Sequence, residues 1–443
     1  MRILLCQGYT RGAHLGRLNS IVFPLGLAYI ASAIKADHEV NCWDSNLADN
    51  PMDELLQVLE KVNPQVVGLS LRNVDASTSY TRDWYYSSFV SMLKTIREKA
   101  PYCKIVVGGA GFSMFAKEVM QRNPEIDFGI IGEGEQSFAQ LLRNLDIPER
   151  INNLVFWKNG RIYFTEIRQI ENLEALTPPS REFFEMRRYN ESGYSMNLIT
   201  KRGCAFKCIF CSNNFISGNI CRLRSPKSVV DEIEQMKNNY DIDNYRFADS
   251  TFNYPFDYAG KICNELAKRK LEISWIADFH PAFVNKSFIK EAVRSGCSQL
   301  VFSPDGASDN ALAFLKKNLR VDHIKKSIAL VKEIEGAKAC YNFMYDLPKY
   351  NSEHLVALCK LIQMMEYSLR EKLCGIYTTK VRIYPHSPLY DLAVKEGIIT
   401  KYTNILNPIY YPSKSFLNLE SNAANLISKS IYSFETIKGY LMK

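Results

Sequence analysis

Strand-length apolar segments alternate with helix-length segments in two separate blocks of this chain, and that alternation limits its fold more than any other feature. In the first block the strand candidates are 3–6, 39–44, 65–71, 104–108 and 127–131, with helical patterns at 24–36, 52–62, 87–99, 115–122 and 135–145. Strands joined through helices of this length run parallel, because the crossover returns the chain to the same end of the sheet. The expected fold class is α/β, beginning with an N-terminal Rossmann-like doubly wound parallel sheet. Ligands of such sheets bind at the carboxyl ends of the strands. There this chain places Arg72-Asn73-Val74-Asp75, Gly108-Gly109-Ala110-Gly111 and Gly132-Glu133-Gly134-Glu135. No G-x-G-x-x-G follows the first strand, so dinucleotide binding is not supported.

The second block repeats the alternation, with strands at 196–200, 245–248, 273–277, 300–303, 339–344 and 377–383, each followed by a helix. Six such units make a partial (β/α)6 barrel, an open relative of the eight-unit barrel with its active site at the same strand ends. The helix at 227–238 is representative: Ser225 is its N-cap, Pro226 its first residue, and Val229, Val230, Ile233 and Met236 share one face. Between the blocks lie a hairpin, 154–158 and 161–165 around Asn159-Gly160, and a Pro178-Pro179 break. The expected organisation is therefore 1–146, a linker at 147–194, the barrel at 195–400 and a tail at 401–443. The tail is rich in aromatics, Tyr402, Tyr410, Tyr411 and Phe416, suited to covering the barrel opening or meeting a partner.

The 443 residues carry 47% hydrophobic and 23% charged side chains, as in a soluble globular protein. The net charge of +8 is scattered rather than striped, so nucleic acid is disfavoured as a partner. No apolar run reaches the roughly 18 residues of a spanning helix, and the N-terminus reads as a strand, not a signal peptide. No membrane association is expected, and twelve cysteines without an export signal point to the cytoplasm. Cys42, Cys103, Cys263, Cys297, Cys340, Cys359 and Cys374 read as small buried hydrophobes.

Three other cysteines stand apart. Cys204, Cys208 and Cys211 form a C-x3-C-x2-C loop directly after the barrel's first strand, with Phe210 before the last. Three thiolates at this spacing can hold three irons of a cubane [4Fe–4S] cluster and leave the fourth iron open for chemistry. The competing reading is a zinc knot with Cys221 as fourth ligand, although zinc knots usually show two separated C-x2-C pairs.

The loop resembles the signature of the radical S-adenosylmethionine (SAM) superfamily. That resemblance implies that SAM chelates the open iron and is cleaved reductively to a 5′-deoxyadenosyl radical. It also implies SAM-binding positions: Phe210 on the adenine, Asp249 after the second barrel strand on the amino group, Asp305 and Ser308 in the turn after the fourth on the ribose, and Tyr384 in the Tyr-Pro-x-Ser-Pro-Leu segment after the sixth. The Gly-Leu-Pro of relatives is Asp346-Leu347-Pro348 here, followed by Glu353. Arg202, Arg222 and Arg224 flank the loop, suited to neutralising a cluster, to binding an acidic substrate or to a solvated surface. His280 and His386 lie near strand ends, as candidate bases or as structural histidines.

The first block resembles the cobalamin-binding domain found in one branch of these enzymes, in Pro24-Leu25-Gly26-Leu27, Ser70–Asp75, Val106-Val107-Gly108-Gly109 and Gly132-Glu133-Gly134-Glu135. Implied cobalamin contacts are Pro24, Gly26, Arg72, Asn73, Val74, Gly108, Gly109, Glu133 and Gly134. The D-x-H-x-x-G motif that supplies an axial histidine is missing, and His14 and His38 lie in the wrong context. In relatives the loop after the third strand approaches the lower face of the cobalamin, and here that loop is 72–75.

Together these resemblances cover about residues 1–400 and imply a cobalamin-dependent radical SAM enzyme using a [4Fe–4S] cluster, SAM and cobalamin. The implied activity is methyl transfer to an unactivated carbon, or phosphorus, of a small molecule, with a flavodoxin or ferredoxin type electron donor. Alternatives are a cobalamin-dependent cyclase or rearrangement enzyme, and a methylthiotransferase with a second cluster on Cys6, Cys42 and Cys103. From another class comes a zinc-stabilised nucleic-acid-binding protein. The residues do not identify the substrate, since the fold does not determine it.

Overall fold

The computed structural model describes residues 1–10, 21–76, 84–191, 195–347 and 352–411, and of Asp346, Ser352 and Glu353 the backbone alone. His14, Pro348, Phe416, the Glu353 side chain and the tail beyond 411 lie outside that description.

The first sheet contains β1 (Arg2–Gln7), β2 (Glu39–Asp44), β3 (Val66–Ser70), β4 (Lys104–Gly108) and β5 (Phe128–Ile130). All pair in parallel in the order β2-β1-β3-β4-β5. This is the flavodoxin-like doubly wound order, whose switch point falls between β1 and β3. Its helices are α1 (Leu25–Ile34), α2 (Pro51–Val62), α3 (Tyr85–Lys99), α4 (Ala110–Met114), α5 (Ala116–Arg122) and α6 (Glu135–Arg143). The helix expected at 115–122 forms as α5, and an unforeseen short helix, α4, precedes it, starting directly after Gly109 and breaking at Phe115, whose φ is −120°. Strand alternation separates two apolar layers: Ile3 and Leu5 pack with α1 and α6, Leu4 and Cys6 with α2, α3 and α5.

The expected hairpin forms as β6 (Leu154–Lys158) and β7 (Arg161–Phe164), with Asn159 and Gly160 both at positive φ, as a type I′ turn requires. It pairs antiparallel on β5, so the segment read as a linker supplies the last two strands of the first sheet. The rest of that segment, ending in α7 (Met186–Glu191), is packed tightly. Phe184 and Tyr189 each meet the Phe23 ring at 5.2 Å, and the Tyr189 hydroxyl donates to Asp44 at 2.6 Å. One apolar cluster runs from Ile3 through these rings to Trp275 in the second sheet.

That second sheet is β8 (Met196–Leu198), β11 (Asn244–Phe247), β12 (Ser274–Phe279), β13 (Cys297–Asp305), β14 (Ala339–Asp346) and β15 (Leu373–Lys380), in that order and parallel throughout. Outside it lie α9 (Pro226–Tyr240), α10 (Phe256–Arg269), α11 (Lys286–Arg294), α12 (Asp309–Phe314), α13 (Val321–Glu333), α14 (Ser352–Leu369) and α15 (Pro388–Lys395). Ser225 caps α9 as expected, accepting from the Ser228 amide at 3.1 Å. The short pair β9 (Lys201–Arg202) and β10 (Arg222–Leu223) brackets the cysteine loop, which contains α8 (Asn213–Ser217).

Two expectations are corrected. The sixth strand starts earlier than 377–383. Val381 and Ile383 enter the second apolar cluster instead, and the Ile383 amide bonds the Ile409 carbonyl. Cys374 is exposed rather than buried, because β15 is the free edge of the open sheet.

Candidate functional site

The carboxyl ends of the two sheets face each other across a cleft of about 420 Å³, within the range of small-molecule and cofactor sites. Its floor is apolar, formed by Leu5, Gly68, Val106, Ile130 and Phe138 at the switch point of the first sheet. Its far wall comes from Asn213, Ile216 and Ser217 of the cysteine loop and from Ala248-Asp249-Ser250 after β11.

Glycine backbone shapes the rim. At Gly109, φ is +99° and a Cβ would lie 2.8 Å from the Leu71 carbonyl oxygen. At Gly132, φ is +76° and a Cβ would stand 3.1 Å from the Ile216 carbonyl oxygen on the cysteine loop. Both positions need left-handed backbone and close approach, which other residues adopt only at a cost. Gly26 has nothing within 4 Å of a Cβ and opens onto the cleft.

Of the expected cobalamin contacts, Pro24, Gly26, Arg72, Gly108, Gly109, Glu133 and Gly134 line this cleft. Val74 does not, being buried in the second apolar cluster, and the Asn73 backbone packs on Gly111. A glycine-rimmed, apolar-floored cleft fits a large flat group held mainly through contact and backbone hydrogen bonds. Glu133 is spoken for within the protein: its carboxylate takes two hydrogen bonds from Arg222, at 2.7 and 2.8 Å, and one from the Ile170 amide at 2.7 Å.

The cysteine loop is held from three sides. Gly203 enters it at φ +86°. The Ile209 amide donates to the Leu315 carbonyl at 3.1 Å, the Ile209 carbonyl accepts from the Leu389 amide at 2.8 Å, and Ser212 Oγ donates to the Pro385 carbonyl at 2.7 Å. Segments after β13 and β15 therefore set the loop's shape. Cys204 and Cys208 are half-buried and Cys211 exposed. Burial pushes all three thiols up, Cys208 to about 12, and in each case the Lys317 charge pulls the other way. A coordinating metal overrides such a shift by deprotonating its thiol outright. The Cys221 sulfur instead approaches the Gly203 carbonyl at 3.9 Å. Among the described residues no three His, Cys, Asp or Glu side chains converge as ligands of a single ion. The charges of the three thiols act on one another, as those of neighbouring ligands of one multi-iron cluster would, each sulfur taking its own iron.

Lys317 was not foreseen. It pairs with Asp305 at 2.6 Å, stands 5.9 Å from the Phe210 ring centre, and accepts a hydrogen-bond contact on its carbonyl from His280 Nε2 at 2.8 Å. Burial works against its ammonium, yet Asp305 outweighs it and keeps the group protonated. In the sequence it is one of the scattered basic residues, with no motif to mark it.

The expected SAM set divides. Phe210 and Asp305 gather beside the cysteines with Lys317. Asp249 lies on the cleft wall, where it accepts from the Thr200 amide at 2.8 Å, the Thr200 hydroxyl at 2.5 Å and the Lys201 ammonium at 2.9 Å. Ser308 caps α12 through the Ala311 amide at 3.4 Å and meets His354 Nδ1 at the same distance. Tyr384 lies under the Arg382 guanidinium, 5.1 Å away.

Arg202, Arg222 and Arg224 are neither solvated nor turned to the cysteines. Arg202 pairs with Glu135, Arg222 with Glu133, and Arg224 with buried Glu232. His280 is structural, stacked on Phe206 at 4.8 Å and lowered to about 4 by burial. His386 stacks on Phe215 at 3.7 Å. Cys6 and Cys103 point into one apolar layer and Cys42 into the other, so these three do not share a face. No helix among the described residues is long and apolar enough to cross a membrane.

Residues 13–142 match the B12 binding domain model and residues 198–362 the radical SAM superfamily model. An uncharacterized methyltransferase of Pyrococcus horikoshii is 26% identical over 91% of this chain and 87% of its own length. An anaerobic magnesium-protoporphyrin IX monomethyl ester cyclase of Rubrivivax gelatinosus is 25% identical over 76% of this chain and 61% of its own. The structure of the radical SAM methyltransferase TsrM from Kitasatospora setae, with cobalamin and a [4Fe–4S] cluster bound, superposes with a TM-score of 0.76. It covers 90% of this chain and 76% of that one at 17% identity.

Proposed function

The chain belongs to the radical SAM enzymes that carry a B12-binding domain, and on that premise we propose that it transfers a methyl group to a carbon or phosphorus atom of a small molecule. One observation carries the reading. The glycine rim of the first sheet and the cysteine loop of the second are walls of a single cleft, with Gly132 against Ile216. A carrier and a radical generator held there act on one substrate.

Cys204, Cys208 and Cys211 would hold the cluster, and Pro24, Gly26, Arg72, Gly108, Gly109 and Gly134 the cobalamin. When bound, the cluster supplies an electron to the SAM sulfonium and cobalamin supplies a carrier for the methyl group. The chain's own residues do the remainder. Lys317 balances negative charge beside the thiolates. Asp249 fixes the turn at Thr200 and Lys201 that launches the cysteine loop, and the apolar floor excludes water. Phe210, Asp305, Ser308 and Tyr384 are assigned to SAM, and a flavodoxin or ferredoxin type protein to electron delivery. Similarity to the cyclase of Rubrivivax gelatinosus favours ring formation as the second reading.

The test is anaerobic purification, reconstitution with iron, sulfide and hydroxocobalamin, desalting, and measurement of metal content and of 5′-deoxyadenosine formed from SAM. About four irons with stoichiometric cobalt and deoxyadenosine production support the reading. Iron without cobalt overturns methyl transfer by this route, and zinc alone overturns radical chemistry. Methyl-labelled SAM then separates methyl transfer from ring formation, since only the former leaves label in the product.

A further inference from the structure

A parallel sheet covered by helices is ordinarily apolar on both faces, and the interior of a closed eight-unit barrel is filled by branched apolar side chains. The second sheet departs from this on its inner face. Tyr245 and Phe247, Trp275 and Phe279, Leu300 and Phe302, and Tyr341 and Phe343 pack into the apolar cluster toward the helices. Strand alternation turns the intervening residues to the other side. There each of the six strands presents a polar group: Asn197, Arg246, Asp278, Ser303, Asn342 and Tyr377.

These groups are neighbours. Asn197 registers with Arg246, and Asn342 with Tyr377. Arg246 bonds Asp278 at 2.6 Å, and Asn342 Nδ2 donates to Ser303 Oγ at 2.9 Å. The Arg246–Asp278 pair is not sealed, with 37% and 31% of its side chains exposed. A guanidinium offers five donors, and Asp278 occupies one nitrogen. Arg72, reaching from the loop after β3, is near enough for its charge to act on Arg246. No hydrogen bond or ion pair joins the Arg72 side chain to any described residue. Asp44 also acts on Arg72, and Asp249 and Asp305 act on Asp278, so the charge here is shared. What this space offers an anion is the donors of half-exposed Arg246 that Asp278 leaves free.

We propose that the polar inner face of the second sheet is the substrate-recognition surface, and that Arg246 anchors there an oxyanion of the substrate, a carboxylate or a phosphate. The assignment rests on the enzyme reading above and adds to it a substrate class. Asn197, Ser303 and Asn342 offer neutral hydrogen bonds to the rest of the molecule. Asp278 holds Arg246 in place when the site is empty and competes with the incoming anion for it.

The test uses the full-length protein with cluster and cobalamin reconstituted. Succinate and inorganic phosphate serve as oxyanion probes and succinamide as the neutral control, with binding read by calorimetric titration and by the rise in Tm. Wild type is expected to bind one or both anions and not succinamide, and which anion binds separates carboxylate from phosphate. Arg246→Gln should weaken that binding about ten- to hundredfold, and Asp278→Asn should strengthen it. Equal binding by wild type and Arg246→Gln, or no anion binding by wild type, overturns the proposal. Should Arg246→Gln not fold, Asp278→Asn decides, since unchanged or weaker binding contradicts the competition. Deoxyadenosine formation by wild type without probe is scored separately. Its absence counts against the enzyme reading alone and leaves the Arg246 result standing.

Discussion

Glu133 and Arg222 stand 89 residues apart in sequence, and their side chains meet through two parallel hydrogen bonds of 2.7 and 2.8 Å. Arg222 closes the strand pair that brackets the cysteine loop, while Glu133 belongs to the glycine-rich turn after β5. Arg202, on the partner strand of that bracket, pairs with Glu135 and lies 5.1 Å from the Tyr29 ring. The two halves of the cleft are thereby clamped together through charge at the point where their ligands would meet.

Glu133→Gln should lower stability by about 2–3 kcal/mol, because it leaves the Arg222 charge largely buried with a neutral partner. The Glu133→Gln, Arg222→Met double variant should recover much of the loss. Thermal denaturation of the four proteins of this cycle measures the coupling, and simple additivity would refute the clamp.

Cys208→Ala should leave the protein folded, since that half-buried thiol makes no hydrogen bond that holds the loop. The loop's shape comes instead from the Ile209 and Ser212 contacts. The variant should bind less iron and form no 5′-deoxyadenosine. Circular dichroism, iron content and turnover together check this.

Gly109→Ala places a methyl group 2.8 Å from the Leu71 carbonyl oxygen at φ +99°. The left-handed backbone alone costs about 1–2 kcal/mol. Cobalamin retained after desalting should fall, while iron held by the thiols on the opposite wall of the cleft should change little.

Buried Glu232 bonds Arg224 at 2.6 Å and pairs with Arg181 at 2.7 Å. Burial resists ionisation, but the two guanidinium groups outweigh it and hold the carboxyl below its ordinary value. A carboxyl depressed in the folded state contributes stability above its unfolded pKa of about 4.3, and that stability fades as pH falls through the folded value. Glu232→Gln should therefore be less stable than wild type at pH 7, with the gap in Tm narrowing as pH drops below about 4. A gap that widens on acidification contradicts the assignment.

Local patterns carried the element assignments a long way. The hairpin at Asn159-Gly160, the Ser225 cap and the strands 39–44 and 104–108 came from turn chemistry, capping and periodicity, which act within a few residues. The helix at 115–122 formed as expected, but α4 was missed, because Gly108-Gly109-Ala110-Gly111 reads as a strand-end turn and only the packing of Phe112 into the second apolar cluster shows the short helix there. The sixth barrel strand slipped because Val381 and Ile383 look as strand-like as the residues before them, and only the docking of residues 405–411 decides which run pairs.

By itself the sequence determined that the chain builds two parallel α/β sheets, and that a three-cysteine loop follows the first strand of the second. Periodicity and motif spacing are properties of adjacent residues, so they survive without knowledge of the fold. Tertiary structure alone decided that Glu133 and Arg222 clamp the two halves, that Lys317 stands beside the cysteines, and that Asp75 meets Arg382 at 3.1 Å across 307 residues. The long charged side chains read as equivalent along the chain. Which of them are buried in pairs and which remain in water depends on which faces the packed sheets bring together.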